Sequence, residues 1–295
     1  MRSGPGAGAR VLAAVVMAYA LLAGCAQSTG PVDPGRGGGG GGGGRSGGTE
    51  THDARPATGP APTAAKGATP TAQPYRRWGL TAPLPAPPSP PARRPPPRAG
   101  GPLPVVDRVP TRAKVVFLTY DDGAEKDPRF VDMVRELRLP VSMFLTDSVA
   151  GPGYGHFARL RSVGASIQNH TLDHAALRGL PYAGQRAEIC GQQNKLRARF
   201  GIRPHLFRPP YGTYDATTLR AAADCGVTAV VLWRAAMEGD GGLTYAKGPH
   251  RLRAGDIVSV PSGEPAGLTL RERTTRLLRE IQTRGLAVGR LEDYV

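Results

Sequence analysis

Between residues 112 and 295 the rhythm of apolar and polar positions changes repeatedly. Lys114 to Tyr120 (KVVFLTY) is a continuous run of aliphatic, β-branched and aromatic side chains, which predicts a strand buried on both faces. From Pro128 to Arg138 the apolar positions recur at helical spacing, behind a Pro suited to a first turn. The same alternation predicts further strands at Val141 to Leu145, Ala165 to Asn169, Leu206 to Arg208, Thr228 to Trp233, Asp256 to Val260 and Leu286 to Arg290. Between them fall predicted helices at Tyr154 to Ser162, Pro181 to Phe200 (stopped by Gly201), Asp215 to Asp224 (with Asp215 as N-cap) and Leu270 to Thr283 (stopped at Gly285). Repeated strand–helix alternation implies an α/β protein with parallel strands. A barrel and an open doubly wound sheet both satisfy the pattern, and the barrel is the preferred expectation.

The first 110 residues read differently. Arg2 and Arg10 precede an apolar stretch, Val11 to Ala23, that is too short to span a bilayer. It runs into Leu22-Ala23-Gly24-Cys25, which resembles a bacterial lipobox. Small residues there admit a peptidase, and the Cys25 thiol can carry a lipid. Residues 1–24 are therefore expected to be a removed signal peptide, with Cys25 lipidated at the outer face of the membrane. No other membrane segment is expected. Residues 26–110 hold 17 of the 41 Gly and 19 of the 30 Pro, including an unbroken run from Gly37 to Gly44. Such composition cannot bury a core, so residues 25–110 are expected to be a disordered tether reaching roughly 50 Å. That leaves residues 111–295 as one domain with a single sizeable core.

The net charge of +15 is spread along the chain as +2, +6 and about +7 over these three segments, with no run of five Lys or Arg. With only 6% aromatic residues there is no base-stacking platform, which argues against nucleic acid as a partner. Dispersed positive charge suits a protein working beside anionic polymers or lipid head groups. No protein partner is evident.

The residues with chemistry fall at the carboxyl ends of predicted strands, the face on which parallel barrels carry their sites. Asp121 and Asp122 follow the first strand, and Gly123 behind them can turn the chain so that both carboxylates enter one site. His170 and His174 follow the third. Four residues apart, on a helical turn, they would share one face and chelate one metal ion. Arg208-Pro209-Pro210-Tyr211 closes the fourth and Trp233 the fifth. Two His and one carboxylate suit catalytic zinc and equally non-haem iron.

Together Thr119-Tyr120-Asp121-Asp122-Gly123, His170-Thr171-Leu172-Asp173-His174 and Arg208-Pro209-Pro210-Tyr211-Gly212 resemble the polysaccharide deacetylase family, the NodB-homology domain of carbohydrate esterase family 4. The resemblance covers roughly residues 112–295. It implies a distorted (β/α) barrel of about seven strands and hydrolysis of N-acetyl groups on a glycan. It assigns Asp122, His170 and His174 to one divalent metal, usually zinc, and Asp121 to the general base. It makes Arg208 the group that holds Asp121. Tyr211 would offer a backbone N–H to the oxyanion, and Tyr211 and Trp233 would border the sugar. With the lipobox, the implied substrate is an extracytoplasmic N-acetylated polysaccharide such as peptidoglycan or a chitin-like polymer.

One element departs from the family pattern. Where a general-acid His is expected after the sixth strand, the chain reads Gly255-Asp256-Ile257-Val258-Ser259-Val260-Pro261, and no His follows. His250 and Glu238 are the nearest substitutes in sequence. A general acid contributes about 10²–10⁴-fold, so the alternative to a deacetylase is a catalytically impaired wall lipoprotein that binds metal and carbohydrate. Besides Cys25 the chain has Cys190 and Cys225, on successive predicted helices. Outside the cytoplasm they are expected to pair.

Overall fold

A computed structural model describes residues 73–92, 102–124, 126–261 and 267–295. The signal peptide, Cys25 and the glycine run lie outside the described residues. None of the described helices is long and apolar enough to cross a membrane.

The sheet is built around β2 (Val115–Asp122). Its neighbour on one side is β3 (Val141–Leu145), followed by β4 (Ser166–Asn169), β5 (Leu206–Phe207), β6 (Ala229–Val231) and β1 (Val105–Val106), all parallel. On the other side β9 (Ile257–Val260) pairs with β2 and β7 (Ala235–Met237) with β9, both parallel. β8 (Leu243–Tyr245) closes that edge as an antiparallel hairpin on β7. β10 (Ala287–Val288) pairs with the first two residues of β2. This is an α/β barrel of mostly parallel strands that does not close: among the described residues β1 and β8 end the sheet.

The short α3 (Asp147–Ala150) follows β3, and longer helices cover the outside: α2 (Pro128–Leu137), α4 (Tyr154–Ser162), α5 (Tyr182–Phe200), α6 (Ala216–Asp224) and α7 (Leu270–Thr283). The period of two in β2 divides the core. Val116, Leu118 and Tyr120 join the cluster built with Phe130, Met133 and Val134 of α2 and Leu277, Leu278 and Ile281 of α7. Val115 and Phe117 face the other way, into a cluster with Phe144, Leu206, Val231 and Ile257. Thr119 and Asp121 continue that inward face. The helix ends obey their local chemistry. Asp127 and Asp215 accept backbone N–H bonds at N-caps, and Gly201 ends α5 in the left-handed conformation. Cys190 in α5 and Cys225, the C-cap of α6, form a disulfide with their Cα atoms 5.0 Å apart.

The folded domain starts earlier than residue 111, which corrects the expected extent of the tether. Residues 74–77 form a short helix, α1 (Pro74–Arg77), and Trp78 and Leu80 are buried in the α2–α7 cluster. The Trp78 indole N–H donates to Glu136 at 2.8 Å, and Arg279 and Gln282 of α7 donate to the carbonyls of Gly79 and Ala82. β1 then adds a strand to the sheet. A Pro-rich chain lacks donors but keeps its carbonyls, so a helix that offers Arg and Gln side chains can hold it.

Candidate metal and catalytic site

The inward face of β2 leads Thr119 and Asp121 to a buried guanidinium. Arg208 has no solvent exposure. Its Nη1 donates to Asp121 Oδ1 at 2.6 Å and to Thr119 Oγ1 at 2.8 Å. Its Nε and Nη2 donate to the carbonyls of Val231 and Leu232, each at 3.2 Å. The guanidinium also lies 4.4 Å from the Phe144 ring centroid and 5.4 Å from that of Trp233. A planar fork with five donors can meet all of these at once; an ammonium cannot. The second Asp121 oxygen, Oδ2, accepts the Ser259 hydroxyl at 2.6 Å.

Strand alternation should send Asp122 away from Asp121. It does not, because Asp122 itself takes a left-handed backbone (φ 64°), one residue before the turn expected at Gly123. Gly123 follows at φ 87°, where a Cβ would stand 2.8 Å from the Phe157 ring and 2.9 Å from Leu145. Asp122 Oδ1 thereby reaches 3.2 Å from His170 Nε2 and 3.1 Å from His174 Nε2.

The two His do not sit on a helical turn, contrary to the expectation from their spacing. They flank a loop shaped by Asn169, whose side chain donates to the Ile189 carbonyl and accepts the Thr171 N–H. Thr171 and His174 both take positive φ, and Thr146 Oγ1 donates to the His170 carbonyl. The loop achieves by side-chain bonding what a helix would have achieved by pitch: both imidazoles meet one carboxylate.

The three side chains fit a metal ion. His170 Nδ1 is 2.7 Å from the Arg208 carbonyl, which can only accept. Nδ1 therefore carries the proton and Nε2 presents its lone pair towards Asp122. Asp122 Oδ1 is buried without a hydrogen bond of its own. Ligands in a tetrahedron with bonds of ~2.0–2.1 Å lie roughly 3.3 Å apart, close to the spacing here. The donor atoms of Asp122, His170 and His174 all fall within 4.8 Å of one another. Burial opposes the charge on Asp122, but its contacts with His170 and His174 outweigh that and hold the carboxyl well below the usual carboxylate range. The same contact with Asp122, against burial, raises His174.

Tyr211 is 65% exposed and left-handed (φ 58°), with its ring centroid 4.8 Å from that of His174. Gly212 packs under Trp233, where a Cβ would stand 3.0 Å from the indole. Asp121, Asp122, His170, His174, Arg208, Tyr211 and Trp233 thus form one connected cluster. Ser259 and Thr119 belong to it and were not anticipated. The signal for Ser259 was a lone hydroxyl within the apolar strand Ile257-Val258-Ser259-Val260.

The substitutes for an acid lie elsewhere. His250 stacks on Tyr245 and lines a cavity of about 350 Å³ with Arg276 and Glu280. Glu238 accepts the Thr244 hydroxyl in the β7–β8 hairpin. The Pro261 carbonyl accepts Arg273 Nη1 at 2.8 Å.

The polysaccharide deacetylase profile matches residues 108–230, which contain Asp121, Asp122, His170, His174, Arg208 and Tyr211. The uncharacterized protein SCO4760 of Streptomyces coelicolor is 68% identical over 192 residues, covering 65% of this chain and 77% of that one. The chain belongs to the polysaccharide deacetylase family. A more distant relative is the chitin deacetylase of Amylomyces rouxii, 34% identical over 118 residues, which cover 39% of this chain. The chain spans only 27% of that enzyme's length. Among solved structures, the chitin deacetylase of Colletotrichum lindemuthianum shares the fold at a TM-score of 0.55 and 19% identity, covering 66% of this chain and 93% of that one.

Proposed function

We propose that the protein is a metal-dependent hydrolase that removes acetyl groups from an extracytoplasmic N-acetylglucosamine polymer. The observation that carries this is the pairing of two unlike carboxylates: Asp122 turned towards two His, and Asp121 clamped by Arg208 and Ser259. The first set would hold the ion and the second would move protons. A divalent ion held there, zinc as the family resemblance implies, would supply a Lewis acid for the acyl carbonyl and would acidify water.

The chain's own residues account for the rest. Arg208 and Ser259 fix Asp121 in one orientation, and Asp121 accepts the proton of the attacking water. The charge-assisted contact with Arg208, at 2.6 Å, holds the Asp121 carboxyl in place. The exposed Tyr211 turn would offer its backbone N–H to the oxygen that becomes negative as the carbonyl is attacked. The Trp233 indole would border the bound sugar. The lipobox-like segment and the Gly/Pro-rich residues that follow support placement outside the cytoplasm, anchored through Cys25, with peptidoglycan or a chitin-like polymer as the reachable substrate.

Pro261 and the remote placing of His250 and Glu238 favour a second reading, in which the domain keeps metal and sugar but turns over slowly. An ester places less demand on an acid than an amide, because an alkoxide leaves more readily than an amide nitrogen. The test is acetate release by the full-length, zinc-supplied chain from N-acetylglucosamine oligomers, peptidoglycan and an acetyl ester. Release from the N-acetylated glycans that disappears in Asp121→Asn is the expected result. Release confined to the ester supports the second reading. No release from any of them overturns the assignment.

A further inference from the structure

A second polar centre lies at the end of the barrel opposite the Asp121–Asp122 end of β2. Asp256 directly precedes β9, and Arg253 lies three residues before Asp256; the first residue of β9 pairs with Phe117 near the start of β2. A small hollow of about 40 Å³ opens there, framed by the turn at residues 247–249. Five cationic side chains line it: Arg108, Arg234, Lys247, Arg251 and Arg253.

Two carboxylates answer them. Asp256 is buried and sits 3.3 Å from Arg108 Nε, and it also accepts the Arg253 backbone N–H. Asp107 takes Arg234 at 2.9 Å and stands 3.9 Å from Lys247. The hollow therefore carries a surplus of three positive charges. Neither the Arg251 nor the Arg253 guanidinium lies within 4.0 Å of a carboxylate among the described residues, and Asp256 acts on Arg253 only at longer range. Arg234 Nε is buried and has no acceptor.

Cationic groups that repel one another around a concavity are held there at a disadvantage unless an anion joins them. Arg forks match the oxygens of a tetrahedral anion in paired hydrogen bonds. The hollow is too small for a sugar ring but suits one phosphate. Leu252, the aliphatic side chain in the stretch from Ala246 to Arg253, is buried, so the loop presents no aliphatic anchor for a bilayer. We infer that this hollow is a binding site for a phosphate group, free or within a soluble phosphodiester polymer, separate from the metal and catalytic cluster. It would let the domain grip an anionic polymer at one end while the other end works on its substrate.

The test is calorimetric titration of the full-length chain with inorganic phosphate, glycerol 3-phosphate and a poly(glycerol phosphate), with sodium acetate as the carboxylate control. Arg251→Ser/Arg253→Ser is the variant; both side chains are exposed, and its unfolding midpoint is measured alongside. The expected result is one phosphate group bound per chain, weakened at least tenfold in the variant with the midpoint unchanged. The polymer should bind more tightly than free phosphate, and its binding should weaken with salt. Equal binding by the variant, acetate binding as tightly as phosphate, or the polymer binding no more tightly than free phosphate would each overturn the inference.

Discussion

Removing the Arg208 guanidinium tests a buried ion pair. Arg208 is fully buried and Asp121 is 9% exposed, so their 2.6 Å contact is not a surface ion pair. Breaking a buried pair by deleting one partner costs about 3–5 kcal/mol, because the other charge is stranded. An exposed pair costs only about 0.2–1 kcal/mol. Arg208→Met should therefore lower the unfolding free energy by about 3–5 kcal/mol. At roughly 2–4 °C per kcal/mol for a domain of this size, that is a fall of about 6–20 °C in Tm. Adding Asp121→Asn removes the stranded charge, so the double variant should be less destabilised than the two single variants combined, by roughly 1–3 kcal/mol. The bond from His170 Nδ1 goes to the Arg208 main-chain carbonyl and survives the substitution. Metal stoichiometry should thus stay at one per chain while stability falls. Urea unfolding followed by circular dichroism and metal analysis read the two effects separately. A loss below about 1 kcal/mol for Arg208→Met, or strict additivity with Asp121→Asn, would refute the reasoning.

Other consequences follow from particular contacts. Cys190 and Cys225 close a 35-residue loop, so the Cys190→Ser/Cys225→Ser variant should lose about 4 kcal/mol; wild-type urea unfolding insensitive to reductant would contradict that. The raised His174 means that a metal bound there would compete with a proton more tightly held than on a free imidazole. In the metal-free chain that raised pKa contributes stability present below about 6.5 and lost as pH rises through the folded value; zinc affinity runs the other way, falling as pH drops. Zinc titrations at pH 8 and pH 5.5 should show weaker binding at the lower pH, and pH-independent affinity would contradict it. Ser259→Ala should lower kcat with zinc affinity unchanged, since the lost bond to Asp121 is worth about 1.5–3 kcal/mol; Ser259→Thr should restore part of the rate, and equal kcat in all three proteins would argue against a positioning role.

Much of the architecture was legible because it rests on periodicity. The long buried run of β2, the helical spacing of α2 and α7, and the cap at Asp215 are local properties of the chain. What escaped was set by partners distant in sequence. The α1–Trp78–Leu80 segment was hidden by averaging composition over a Gly/Pro-rich tail, and it packs only because α7 offers Arg279 and Gln282. In the β7–β8 hairpin, Ala235–Met237 has little β preference of its own, and it pairs because β9 provides an edge on one side and Leu243–Tyr245 on the other. At the site, residue types and strand ends indicated which side chains meet, but not how. Asp122 reaches the His pair through its own left-handed backbone, and the His loop is held by Asn169 rather than by a helix. Ser259 was visible as a misplaced hydroxyl; only the pairing of Thr119 with Ser259 across β2 and β9 reveals that it faces Asp121.

The division of labour between the two carboxylates is tested most directly by measuring zinc content and acetate release on the same preparations of wild type, Asp121→Asn and Asp122→Asn. The account predicts one zinc per chain and acetate from N-acetylglucosamine oligomers for wild type. Asp121→Asn should hold its zinc and release no acetate, and Asp122→Asn should lose both. Zinc lost from Asp121→Asn, or acetate released by it at the wild-type rate, would contradict the assignment of ion binding to Asp122 and proton transfer to Asp121.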